Sequence, residues 1–188
     1  MAGVTQQRDI HTGVLGIPEP FDLAATLESG QVFRWRRVDS GWYVGVVGRH
    51  PVTLSQVEGG LSYSCERGTE EAVKRALYDY FRLDEDLLAI YREVSDDQRV
   101  AEAISRYRGL RLLRQEPWEC LVSFVCSSVS NIPRISRTLE AVARRSGRAV
   151  NLAGHTLYVF PSPEELAQVG ESSLRELGLG FRARYVAE

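Results

Sequence analysis

The order of apolar and polar positions splits the chain into two parts with different periods. Along 31–38, Phe33 and Trp35 alternate with Arg34 and Arg36, the period of two expected of a half-buried strand. Further strands are expected over 42–47, 52–57 and 61–65, where Leu61, Tyr63 and Cys65 alternate with Ser62 and Ser64. Between them stand Asp39-Ser40-Gly41, Gly48-Arg49-His50-Pro51 and Glu58-Gly59-Gly60. Short strands joined by such turns predict an antiparallel meander.

Past residue 66 the period lengthens. Val73, Ala76, Leu77, Tyr80 and Phe81 fall on one face of a helix, and Val100, Ile104 and Tyr107 suggest another. Trp118, Leu121, Val122 and Val125 are the expected inner face of a third, entered at Pro117. Asn131 is the expected cap of a fourth, with Ile135, Leu139 and Val142 inward. Ser162-Pro163-Glu164-Glu165 reads as a capping box for a helix reaching toward Leu177, broken by Gly178 and Gly180. Residues 182–188 read as the start of another helix. The fold class expected is therefore α+β: an antiparallel β-rich unit followed by helices, with the boundary near Gly109.

Composition adds bounds. The 188 residues suffice for one sizeable core or two small ones. Hydrophobic residues make up 44% and charged residues 26%, ordinary for a globular protein. No apolar run approaches the ~20 residues of a membrane span, and residues 1–10 lack a signal-peptide pattern. Cys65, Cys120 and Cys126 form no CxxC pair and are expected to be reduced, interior residues. His11, His50 and His155 are scattered, so neither a metal site nor a cofactor is expected.

Charge changes the picture more. The net charge is −2, but residues 1–103 hold 11 basic and 17 acidic side chains, whereas residues 104–188 hold 12 arginines against 8 glutamates. A basic half can attract phosphate in a chain that is acidic overall. There is one lysine, Lys74, against 22 arginines. Any mechanism needing a nucleophilic side-chain amine has that one candidate.

Four stretches carry candidate chemistry. In Ser29-Gly30-Gln31-Val32-Phe33-Arg34-Trp35-Arg36, the glycine lets a backbone carbonyl approach a ligand. Leu110-Arg111-Leu112-Leu113-Arg114-Gln115-Glu116-Pro117-Trp118-Glu119-Cys120-Leu121 is a basic helix entry. Cys126-Ser127-Ser128-Val129-Ser130-Asn131-Ile132-Pro133-Arg134-Ile135 is a polar corner between helices that could enter a DNA groove. In Leu177-Gly178-Leu179-Gly180-Phe181-Arg182-Ala183-Arg184-Tyr185, an aromatic on a glycine-flexed turn could wedge into a base stack. Taken singly, each also reads as ordinary structure: a turn glycine, a helix entry, a capped turn, a C-capping loop.

Their combination and order resemble the 8-oxoguanine DNA glycosylases of the helix-hairpin-helix superfamily, from about Phe21 to Val186. The resemblance implies a twisted N-terminal sheet like half of the TATA-binding-protein fold (21–108, after a tail of 1–20), then an incomplete helical glycosylase domain (109–188). It implies base-excision repair of 8-oxoguanine, flipped out of the duplex, by an N-glycosylase with AP-lyase activity. The implied partner is double-stranded DNA containing oxidised guanine, with no membrane, a monomeric state, and a cytoplasmic or nuclear setting. Gly30 matches the lesion-sensing glycine, whose carbonyl accepts N7–H; normal guanine has no proton there, and an unpaired buried acceptor costs ~1–3 kcal/mol. Asn131 and Arg134 match the turn that fills the vacated space and reads the opposite cytosine. Phe181 matches the wedge aromatic, usually tyrosine, and Arg182 a second cytosine-contacting arginine.

Two departures stand beside the match. The family usually has three asparagines where this chain has Val129-Ser130-Asn131, so Val129 removes one hydrogen bond to the cytosine. The family's catalytic lysine and aspartate find no match, and no catalytic residue is assigned. The 188 residues alone are expected to be inactive. Two other readings remain open at this point: a non-catalytic damaged-DNA-binding module, and a relative acting on alkylated purines.

Overall fold

The computed structural model describes residues 9–38 and 41–187. Asp39 and Ser40 of the first expected turn lie outside the described residues, as do 1–8 and Glu188. A five-stranded antiparallel sheet runs in the order β1-β5-β4-β3-β2, formed by β1 (Ile10–Gly16), β2 (Arg36–Arg37), β3 (Tyr43–Val47), β4 (His50–Val57) and β5 (Gly60–Glu66). Helices α1 (Leu23–Glu28) and α2 (Glu70–Tyr80) cover it. Leu23, Leu54, Leu61, Tyr63, Val73, Leu77 and Phe81 meet in the first core.

A second core gathers the later helices: α5 (Pro117–Ser127), α6 (Ile132–Ser146), α7 (Pro163–Ala167), α8 (Gly170–Leu174) and α9 (Ala183–Ala187). Val122, Leu139, Val142, Leu166, Leu174 and Leu179 fill it. In sequence, α3 (Leu87–Val94) and α4 (Gln98–Arg106) come between the elements of the two cores, and neither has a buried residue. The α+β class is as expected.

Several elements differ from expectation. Residues 31–35 are not a strand; only Arg36–Arg37 pair with β3. Their alternation has another cause: Val32 and Trp35 pack on the first core while Phe33 packs on the second. A segment threaded between two cores mimics the period of a strand. Strand β1 lies in the expected tail; its outward Ile10 and Val14 are exposed, so the ladder to β5 rather than burial holds it. The hairpin of β6 (Ala149–Leu152) and β7 (His155–Tyr158) turns on Ala153-Gly154, both at positive φ, a weaker sequence signal than Asn-Gly. The capping box at Ser162 and Glu165 forms, but the helix it opens ends early, because Gly170 at φ +77 separates α7 from α8.

In α5 the inner face is rotated from the expected one: Val122, Ser123 and Cys126 are buried, whereas Leu121 and Phe124 face outward. This helix is apolar nearly all round, so its pattern leaves the facing direction open. Cys120 is exposed rather than interior, and all three cysteines are free.

Candidate DNA-recognition face

The site is built from three short segments, and each is held by side chains from outside it. Gly30 follows α1 at φ +85, a conformation L side chains rarely adopt. The next residue anchors the loop. The Gln31 amide donates to the carbonyls of Thr26 and Arg111, both at 2.9 Å, and its oxygen accepts the Leu113 N–H at 2.9 Å. The Arg111 N–H in turn donates to Thr26 Oγ1 at 3.2 Å. The loop is thus pinned to the segment preceding α5.

Further along, Arg34 grips Glu119 of α5 with two hydrogen bonds, Nε to Oε1 at 2.6 Å and Nη2 to Oε2 at 2.9 Å, and donates to the Tyr158 carbonyl at 2.8 Å. Burial disfavours this charge, but Glu119 more than offsets it and raises the Arg34 pKa. Arg34 is a structural bridge between the sheet unit and the helices.

The second segment is the corner between α5 and α6. Ser128 has φ −55 and ψ 122, and Val129 follows at φ +49. The left-handed position in this turn favours glycine or asparagine. Val129 occupies it with its side chain 86% exposed. Asn131 caps α6, its Oδ1 accepting the Arg134 N–H at 3.0 Å. Arg134 lies exposed in the first helical turn, and its guanidinium makes no hydrogen bond or ion pair among the described residues. Ile132, also exposed, lies over Gly30: a Cβ placed on the glycine would stand 3.0 Å from Ile132 Cδ1.

The third segment is the short helical turn Gly180–Arg182. Phe181 is 53% exposed and stacks on the guanidinium of its neighbour, with Arg182 Cζ 4.6 Å from the ring centre. Arg182 itself, which the resemblance matches to a cytosine-contacting arginine, is turned inward here and only 4% exposed. It donates from Nε to the Ser128 carbonyl at 2.8 Å, from Nη2 to the carbonyls of Ser128 and of Val129 (3.0 Å to the latter), and from Nη1 to Leu179 at 3.2 Å. The reason is electrostatic: carbonyls at the C-terminal end of α5 are the negative end of that helix. Nearby, burial pushes the Cys126 thiol pKa up despite the Arg182 charge, so the thiol stays protonated and unreactive.

The structure therefore brings Gly30, the Val129–Arg134 corner and the Phe181-Arg182 turn together. Lys74 stands elsewhere, on α2. Its ammonium is 2.9 Å from Glu71 Oε1, and that hydrogen bond raises its pKa, the opposite of what a nucleophilic amine needs. A cleft of about 410 Å³ opens between the sheet unit and α5, lined by Arg34, Trp35, Tyr80, Arg114 and Glu119; none of the five expected site residues lines it. Sequence reasoning missed two residues that shape the face: Gln31, whose position directly after the glycine was the available signal, and Ile132, which only the fold brings to Gly30.

Residues 14–121 match the family model described as "8-oxoguanine DNA glycosylase, N-terminal domain". The N-glycosylase/DNA lyase OGG1 of Arabidopsis thaliana is 34% identical over 168 residues, covering 87% of this chain and 46% of that protein. The N-glycosylase/DNA lyase of Saccharomyces cerevisiae is 36% identical over 179 residues, covering 88% of this chain and 48% of that protein. The chain thus spans about half the length of these curated relatives. A crystal structure of the Clostridium acetobutylicum 8-oxoguanine glycosylase/lyase, in complex with dsDNA containing cytosine opposite 8-oxoG, superposes with a TM-score of 0.85 at 28% identity, covering 97% of this chain and 64% of that one.

Proposed function

The chain belongs to the 8-oxoguanine DNA glycosylase family, and from that premise we propose that these residues grip duplex DNA carrying 8-oxoguanine during base-excision repair. The whole protein would act as an N-glycosylase with AP-lyase activity, as its relatives are named. The setting would be wherever the genome lies, nucleoid or nucleus. No helix among the described residues is long and apolar enough to cross a membrane.

One observation carries the reading. Three segments far apart in sequence, around Gly30, Asn131 and Phe181, form one continuous face through the Gly30–Ile132 contact and the Arg182–Ser128 hydrogen bonds. In this reading the Gly30 carbonyl senses N7–H of the flipped base. Asn131 and Arg134 approach the opposite strand from the start of α6, the positive end of that helix's dipole, which favours phosphate. Phe181 wedges into the stack, at a cost of a few kcal/mol of unstacking offset by binding. Arg182 contributes through the turn it holds. The bond to cytosine that Val129 cannot make leaves opposite-base choice to Arg134.

Fluorescence anisotropy provides the test. The 188-residue chain is expected to bind an 8-oxoguanine·cytosine duplex more tightly than the same duplex with guanine. Equal affinity for the two would refute the proposal.

A further inference from the structure

The hydrogen bonds of Gln31 all point into the protein, and they form a pattern. The side-chain amide donates to the Arg111 carbonyl and accepts the Leu113 N–H, each at 2.9 Å. A residue in a parallel β-ladder makes that pair of bonds to the two neighbours of the residue beside it. Residues 110–113 belong to neither sheet, and here a primary amide stands where a strand residue would, opposite Leu112, whose own side chain is exposed. The second N–H of the amide donates to the Thr26 carbonyl at 2.9 Å. Two carbonyls face the nitrogen and one N–H faces the oxygen, so a single orientation of the amide satisfies all three. Thr26, Arg111 and Leu113 are buried, and the first two are held in turn. Thr26 Oγ1 donates to the Asp22 carbonyl at 2.6 Å and accepts the Arg111 N–H at 3.2 Å. The Arg111 guanidinium donates to the carbonyls of Arg82 and Glu85 at 2.9 and 3.3 Å.

Gln31 also bounds the peptide that carries the Gly30 carbonyl. On the other side of the glycine, Ser29 Oγ donates to the same Thr26 carbonyl at 3.1 Å. Both neighbours of Gly30 are thus tied to one buried oxygen. The glycine cannot select this placement by itself, because its φ and ψ are nearly unrestricted. Gln31 can: turning the shared peptide over would carry its φ to the positive side, which L side chains rarely adopt and Gln31 does not. We propose that Gln31 is a positioning residue: its amide fixes where the Gly30 carbonyl stands, and so sets the discrimination between a guanine with hydrogen on N7 and one without. This rests on the reading of Gly30 given above. It goes further by assigning the selectivity of that carbonyl to a side chain that does not itself touch the base. Glutamate lacks the two donors, asparagine is one methylene short, and methionine has the length without the polar atoms.

Gln31→Met, which removes all three bonds, tests this. Its affinity for an 8-oxoguanine·cytosine duplex and for the same duplex with guanine is measured by anisotropy, beside Val73→Ala, which opens a gap in the first core on α2. The preference for the lesion should fall about three- to tenfold in Gln31→Met, matching one net hydrogen bond. The fall should come from weaker binding of the 8-oxoguanine duplex, with the guanine duplex bound as before. Val73→Ala should lose stability and keep the preference. An equal loss on both duplexes, an unchanged preference, or the same fall in Val73→Ala overturns the proposal. If Gln31→Met does not fold, Gln31→Asn replaces it and is judged by the same outcomes. Amide hydrogen exchange without DNA supplies a second readout. The Leu113 N–H and the amides of 29–31 should exchange about tenfold faster in the variant while α2 keeps its protection. Unchanged exchange at 29–31 contradicts the anchor. If the wild-type chain shows no preference for the lesion, the functional reading of the face fails, and exchange alone decides whether Gln31 fixes the loop.

Discussion

Gly30 meets two demands that separate experimentally. Its φ of +85 penalises any L side chain, and a Cβ would touch Ile132 Cδ1 at 3.0 Å. The Ile132 contact is with the end of a flexible side chain and yields easily, so the backbone conformation dominates. Gly30→Ala is expected to cost about 1–2 kcal/mol in urea unfolding, and the loss should persist when Ile132→Ala removes the contact. Full rescue by Ile132→Ala would show that space, not φ, selects glycine here. At this scale the sequence spoke clearly about residue type and poorly about direction. Gly30, Asn131 and Phe181 were legible because a glycine, a cap and an exposed aromatic each carry a local signal. The inward turn of Arg182 was not, because three of its four hydrogen bonds go to carbonyls more than fifty residues away.

Among the elements, α6 connects the fold to the face most directly. Its apolar side, Ile135, Leu139 and Val142, packs into the second core, and its cap fixes the corner that projects outward. Asn131→Ala removes the acceptor for the Arg134 N–H and should cost about 1 kcal/mol. Asn131→Asp keeps the acceptor and the stability but adds a negative charge facing phosphate, so duplex affinity should fall while the unfolding midpoint holds. Denaturation and anisotropy on the two variants check this; parallel losses in Asp and Ala would mean that the cap acts only structurally. Most helices of the second part and β3 to β5 were predictable from period together with the turns and caps that bound them. The segment 31–35 and the outward face of α5 were not: in the first, two cores produced the alternation of a strand, and in the second, an all-round apolar helix had no preferred side.

Across the whole molecule, two cores are stitched by Arg34, which holds Glu119 of α5, and the basic half contributes the corner and the wedge. The chemistry is not distributed in the same way. The one lysine is exposed, charged and paired with Glu71 on α2. The 188-residue chain is therefore expected to give no borohydride-trapped adduct with an 8-oxoguanine duplex, and a trapped species abolished by Lys74→Ala would contradict the assignment of Lys74 to the surface. The central claim is that one face, assembled from three distant segments, meets the DNA. Hydrogen–deuterium exchange of the chain with and without an 8-oxoguanine·cytosine duplex tests it most directly. Protection gathered at 29–33, 128–134 and 178–182 together is the predicted result; protection confined to the β1 edge, to α3 and α4, or to only one of the three segments would contradict it.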